Sequence, residues 1–146
     1  MSKDLHTDLG LKEEDLIEMY RYMVAARLCD ERQWGLNRQG KAPFVVPVSG
    51  HEAAQVGSGW AFERGKDVFC PYYRDMALVL VAGFTPKDVF LGLFGKADDP
   101  SSGGRQMPAH WGARIVRQYA DHIEYVTMRP DVERVLPAGY VSPAIK

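Results

Sequence analysis

Residues 67–83 read DVFCPYYRDMALVLVAG. Asp67-Val68-Phe69-Cys70-Pro71 has the length and apolar content of a short buried strand, and Pro71 ends it. Met76 to Ala82 is almost wholly apolar and stops at Gly83, which reads as a buried helix. Tyr72-Tyr73-Arg74-Asp75 then forms the lip between strand and helix. At such a junction backbone N–H groups and the positive end of the helix dipole face outward, so an anion docks there. Arg74 suits a phosphate, which it binds bidentately, with a tyrosine hydroxyl alongside. A plain surface Arg74–Asp75 pair with packed tyrosines is the competing reading, and the pattern alone favours it.

The stretches on either side extend this pattern. Thr85-Pro86-Lys87-Asp88 is a helix start, with Thr85 as N-cap and Pro86 at the first helical position. Val89, Phe90, Leu93 and Phe94 carry that helix to Gly95. Asp98 to Gly112 is the most function-like loop: turn formers come first, then Arg105, Gln106, Met107, His110 and Trp111. His110 is a candidate acid, base or orienting donor near neutral pH, against the plainer reading of a half-exposed loop histidine.

Upstream, His51 to Ala61 predicts a helix whose small residues, Ala53, Ala54, Gly57 and Gly59, suit close packing. Ser49 or Gly50 caps it in this reading. His51 and Glu52 either line a pocket or, more simply, open a capped helix. Pro43 and Pro47 make Lys41 to Gly50 an extended connector. Lys12-Glu13-Glu14-Asp15 opens a long helix that runs to about Asn37 and stops at Gly40. Leu16, Met19, Tyr20, Met23, Ala25 and Ala26 give it an apolar face. Residues 1–10 read as a flexible leader.

Composition bounds the function. The 146 residues are 46% hydrophobic and 25% charged with a net charge of −1, which argues against a disordered chain and against wholesale capture of nucleic acid. The apolar run Met76 to Phe84 is about half a membrane span. Two cysteines, Cys29 and Cys70, are too few for a secreted disulfide scaffold, so a soluble cytoplasmic protein is expected. There is no nucleophile elbow, dinucleotide fingerprint or phosphate loop, and the four histidines and two cysteines lack zinc spacing.

Four segments together carry a resemblance: MYRYMVAARLCDER (19–32), SGHEAAQVG (49–57), FCPYYRD (69–75) and GRQMPAHWG (104–112). In order and spacing, residues 11–112 resemble the N-terminal part of the α subunit of thiamine-diphosphate-dependent 2-oxo acid dehydrogenases. The Gly-Arg-Gln-Met-Pro-Xaa-His loop is similar to that of the branched-chain type. The resemblance implies an α/β fold, with this chain as the helix-rich N-terminal portion of a thiamine-diphosphate-binding fold and its sheet incomplete. It implies oxidative decarboxylation of a branched-chain 2-oxo acid, with acyl transfer to a lipoyl group. Tyr73 and Arg74 would contact the cofactor diphosphate and His110 would be catalytic, near the thiazolium and substrate. Implied partners are the β subunit of an α2β2 assembly, a lipoyl-bearing acyltransferase and a small 2-oxo acid, with no nucleic acid or membrane.

Pyruvate- or acetoin-type dehydrogenases and a non-catalytic subunit-interaction module remain the alternatives. The family's Gly-Asp-Gly…Asn motif, which holds Mg²⁺ in full-length members, does not occur in these 146 residues, so no metal residue is assigned and the chain alone is expected to be inactive. From Ala113 to Lys146 the glycine content falls to Gly139 alone. A helix over Arg114 to Val126 and an otherwise divergent tail, from a truncated or frame-shifted product, are the expectation there.

Overall fold

A computed structural model describes residues 5–62 and 71–111 of the chain. The described elements are five helices: α1 (Leu5–Asp8), α2 (Glu13–Arg38), α3 (Glu52–Ala61), α4 (Met76–Val81) and α5 (Pro86–Leu93). No strand occurs among the described residues. The expected strand at 67–71 and the expected helix at 114–126 lie outside them, apart from Pro71, which is in no strand. The helix-rich half of the expected architecture is therefore present, and a sheet is not part of what is described. No helix among the described residues is long and apolar enough to cross a membrane.

The local signals act as their chemistry dictates. Asp15 accepts the Lys12 N–H at 2.8 Å, tying the first turn of α2 to its N-cap. α2 stops before Gly40, where Lys41 N–H reaches back to the Leu36 carbonyl at 2.9 Å and satisfies one of the last helical acceptors. α5 opens on a reciprocal box: Asp88 N–H donates to Thr85 Oγ1 at 3.3 Å, and Thr85 N–H donates to Asp88 Oδ2 at 3.0 Å. The leader reading meets a difference at α1, one helical turn closed by Leu11 N–H to the His6 carbonyl at 2.9 Å.

α4 sits at the centre. Met76, Ala77, Val79 and Leu80 are at most 2% exposed, and Leu78 alone in this short helix is partly exposed. Ala26 and Cys29 of α2, Val56 of α3, Val48, Phe84 and Val89 complete the cluster. Each large aliphatic side chain buried here stabilises the fold by about 1.5–3 kcal/mol. α3 lies unusually close to α4 because Gly59 has no side chain. A Cβ there would stand 3.0 Å from Leu78 Cδ1 and 3.1 Å from Val81 Cγ1.

The apolar face predicted for α2 is only partly used. Ala26 is fully buried, while Met19, Met23 and Ala25 are partly covered against the core. Leu16 and Tyr20 face outward instead, as do Ile17, Val24 and Leu28. The reason is angular: at about 3.6 residues per turn Tyr20, Val24 and Leu28 lie on the side of α2 opposite Ala26, Cys29 and Gln33, which face α3 and α4.

Candidate functional site

The lip before α4 is built by its own aspartate. Asp75 N–H donates to the Tyr72 carbonyl at 3.0 Å, and the Asp75 carboxylate accepts Tyr72 N–H at 2.7 Å. The carboxylate therefore faces back along the chain, and the expected Arg74–Asp75 pair does not form. Arg74 donates instead to the Pro47 carbonyl at 2.5 Å, and its guanidinium carbon lies 5.3 Å from the centre of the Tyr73 ring. Among the described residues its other guanidinium N–H groups meet no acceptor. The Tyr72 and Tyr73 rings lie 3.7 Å apart, and donation of the Tyr72 hydroxyl to Tyr73 favours the neutral Tyr72 phenol and holds it above its ordinary value.

The position of Pro47 depends on α2. Asp30, 2% exposed, accepts Val48 N–H at 2.9 Å and the Ser49 hydroxyl. Ser49 is thus bound to a buried carboxylate, and it does not cap α3. His51 takes the N-cap position of α3 with no capping bond from its side chain. Glu52 accepts Gly50 N–H at 2.8 Å and Arg27 Nε–H at 2.6 Å. The bond from Arg27 holds the Glu52 carboxyl below its ordinary value. The Ser49–Glu52 cluster is accordingly a clamp between α2 and α3 rather than a side-chain-capped helix start, and Glu52 borders a pocket with Tyr20, Val24 and Arg27.

Gln55 of α3 completes the support. Its amide oxygen accepts Ala77 N–H at 3.0 Å, and its amide nitrogen donates to the Arg74 carbonyl at 2.9 Å. Sequence reasoning passed over Gln55 and Asp30. Both lie within helical periodicity, and their partners stand 18–22 positions away along the chain.

The histidine loop is folded around another carboxylate. Asp99 accepts N–H groups from Ser101 at 3.0 Å, Ser102 at 3.1 Å and Gly104 at 3.3 Å, and the Ser102 hydroxyl at 2.7 Å. Ser102 Oγ in turn accepts the N–H groups of Arg105 and Gln106, both at 3.1 Å. The turn formers at 98–103 are therefore the anchor, and Arg105 to His110 is what they hold out. A run of aspartate, proline, serines and glycines carries that signal in sequence.

Ala109 has φ +65°, a left-handed backbone directly before His110. His110 is exposed, with Nδ1 3.0 Å from the Met107 carbonyl and 3.2 Å from the Pro108 carbonyl. Carbonyls only accept, so Nδ1 carries a proton, and in the neutral ring the lone pair is on Nε2. Trp111 packs edge-on to Phe84 with ring centres 5.8 Å apart. Asp88, Asp99, Ser101 and His110 border a cavity of about 10 Å³, room for one water. Tyr73 and Arg74 do not line it.

Residues 20–138 match the dehydrogenase E1 component family. The 2-oxoisovalerate dehydrogenase subunit alpha of Bacillus subtilis (strain 168) is 47% identical over 139 residues, 95% of this chain and 42% of that protein. The pyruvate dehydrogenase E1 component subunit alpha of Staphylococcus epidermidis (strain ATCC 12228) is 38% identical over 91 residues, 62% of this chain and 24% of its own. The corresponding subunit of Staphylococcus aureus (strain MW2) is 37% identical over the same length. The chain thus spans less than half the length of these relatives. The family match passes Gly112 and reaches residue 138, into the stretch that the motif reading sets apart as divergent. A reading built on four short motifs has no purchase where no motif occurs. On a match that covers most of its length, the chain belongs to the dehydrogenase E1 component family.

Proposed function

We propose that this chain is part of the α subunit of a thiamine-diphosphate-dependent branched-chain 2-oxo acid dehydrogenase. In this reading it acts with a β subunit and passes an acyl group to a lipoyl-bearing acyltransferase. The observation that carries the reading is Arg74. Its guanidinium is held by the Pro47 carbonyl and the Tyr73 ring, and its remaining N–H groups meet no acceptor among the described residues. That is the donor set a diphosphate requires. The branched-chain assignment rests on the 47% identity to the 2-oxoisovalerate enzyme subunit, against 38% over a shorter span for a pyruvate enzyme subunit.

Thiamine diphosphate supplies the carbanion chemistry that makes loss of carbon dioxide possible. The residues of this chain supply binding and proton handling. Arg74 and Tyr73 would donate to the diphosphate. His110, with Nδ1–H committed to two carbonyls, offers Nε2 to take a proton and, once charged, to return it. Among the described residues no group of three or more His, Cys, Asp or Glu is placed to hold a metal ion, so no residue is assigned to Mg²⁺.

The test is a substrate panel on the full-length α subunit assembled with its β subunit. Decarboxylation of 3-methyl-2-oxobutanoate at the highest kcat/KM is the expected result. Preference for pyruvate or acetoin refutes the branched-chain assignment. Subunit assembly without turnover or thiamine diphosphate binding refutes the enzyme reading and favours an interaction module. Arg74→Ala is expected to raise KM for thiamine diphosphate by about tenfold or more, as befits loss of a charge-assisted hydrogen bond. His110→Ala is expected to lower kcat by about 10²-fold.

A further inference from the structure

We propose that Gln55 is a positioning residue for cofactor recognition, acting through Arg74. The inference rests on the reading of Arg74 as a diphosphate ligand and names the residue that sets its backbone.

The orientation of the Gln55 amide is fixed by its neighbours. Ala77 N–H needs an acceptor and the Arg74 carbonyl needs a donor, so oxygen faces Ala77 and nitrogen faces Arg74. The bond from Ala77 N–H is buried, and the bond to the Arg74 carbonyl is half-buried, with Gln55 itself 8% exposed. Burial makes a lost partner costly at the Gln55 amide.

The location of these two bonds matters. Ala77 is in the first turn of α4, whose leading N–H groups have no helical acceptor. Asp75, at the N-cap, gives them no side-chain bond, since its carboxylate is turned back to Tyr72 N–H. Gln55 therefore does from α3 what an N-cap side chain ordinarily does from within a helix. The same amide also ties down the Arg74 peptide. The far end of Arg74 is held by the Pro47 carbonyl, which Asp30 stations through Val48. The arginine is thus fixed at its backbone by α3 and at its tip by a loop anchored on α2. An arginine held at both ends loses less freedom on meeting an anion, which is how a supporting residue raises affinity.

Gln55→Glu separates the two bonds. The carboxylate still accepts from Ala77 N–H but offers nothing to the Arg74 carbonyl. In the full-length α subunit assembled with its β subunit, Gln55→Glu is expected to raise KM and Kd for thiamine diphosphate by about five- to tenfold, the effect of one lost half-buried hydrogen bond. At saturating cofactor, kcat changes far less than KM. Gln55→Met keeps the volume without a buried charge, and it shows the same rise in KM. In an Arg74→Ala background the effect of Gln55→Glu largely disappears, because the residue through which it acts is gone.

An unchanged KM in both Gln55 variants overturns the proposal. So does a parallel fall of kcat and melting temperature with KM unmoved, or an undiminished Gln55→Glu effect in the Arg74→Ala background. A parent assembly that binds no thiamine diphosphate overturns the proposed function itself, and this inference with it.

Discussion

Gly104 is the position where a single methyl group should do the most damage to the histidine loop. Its φ is +75°, and a Cβ built on it would lie 2.3 Å from the Gly95 carbonyl oxygen, 2.4 Å from the Gly95 carbonyl carbon and 2.9 Å from the Lys96 carbonyl oxygen. The obstacle is backbone on all three counts, so no side chain can rotate away. An L-residue in the left-handed region costs about 1–2 kcal/mol. Forcing atoms into a space already filled adds about 1–3 kcal/mol. Gly104→Ala is therefore expected to destabilise the protein by about 2–5 kcal/mol, a large share of a typical domain's 5–15 kcal/mol. Urea unfolding followed by circular dichroism reads this as a midpoint lower by about 1 M or more. Gly57→Ala is the control. Gly57 lies within α3, has no positive φ and would meet nothing within 4 Å, so alanine there should stabilise by about 0.5–1 kcal/mol. A Gly104→Ala midpoint within experimental error of the parent refutes the reasoning. It would mean that the loop is free to step away from the end of α5.

Three further outcomes follow from the packing and the charges. Leu80→Ala, at the centre of the core with 2% exposure, should cost about 2–5 kcal/mol in the same urea assay, and a loss below about 1 kcal/mol would refute the central place of α4. Arg27 holds the Glu52 carboxyl below its ordinary value, so its contribution to stability is complete above the ordinary carboxylate range and is lost as pH falls through the lowered folded value. Glu52→Gln should flatten that part of the pH–stability curve, and an unchanged curve would refute the clamp. Burial pushes the Cys29 thiol up, so its alkylation by iodoacetamide at pH 8 should be slow in the folded protein and fast in urea; equal rates would contradict its place in the core.

Most of the helical framework was legible in the sequence. Thr85-Pro86 begins α5, Gly40 and Gly83 follow the ends of α2 and α4, and the acidic run Glu13-Glu14-Asp15 opens α2. Each is a local device whose energy depends on residues within one turn, and so a linear reading finds it. The two candidate clusters, at Tyr73–Arg74 and at His110, were singled out by residue type. The supports beneath them were not. Asp30 grips Val48 and Ser49, Gln55 bridges Arg74 and Ala77, and Pro47 receives the Arg74 guanidinium, all across 18–27 positions of chain.

In α2 the same apolar spacing runs through Tyr20 and Ala26, yet one is 65% exposed and the other fully buried. Six residues apart at about 3.6 per turn, the two stand about 120° apart around the axis, and only the placement of α3 and α4 decides which side of α2 is covered. The sequence by itself determined where the helices begin and end and which residue types stand at the lip and the loop, because those choices are settled by neighbours along the chain. Tertiary structure decided which carboxylate faces which amide and which carbonyl receives the Arg74 guanidinium, because a hydrogen bond between distant residues depends on distance in space.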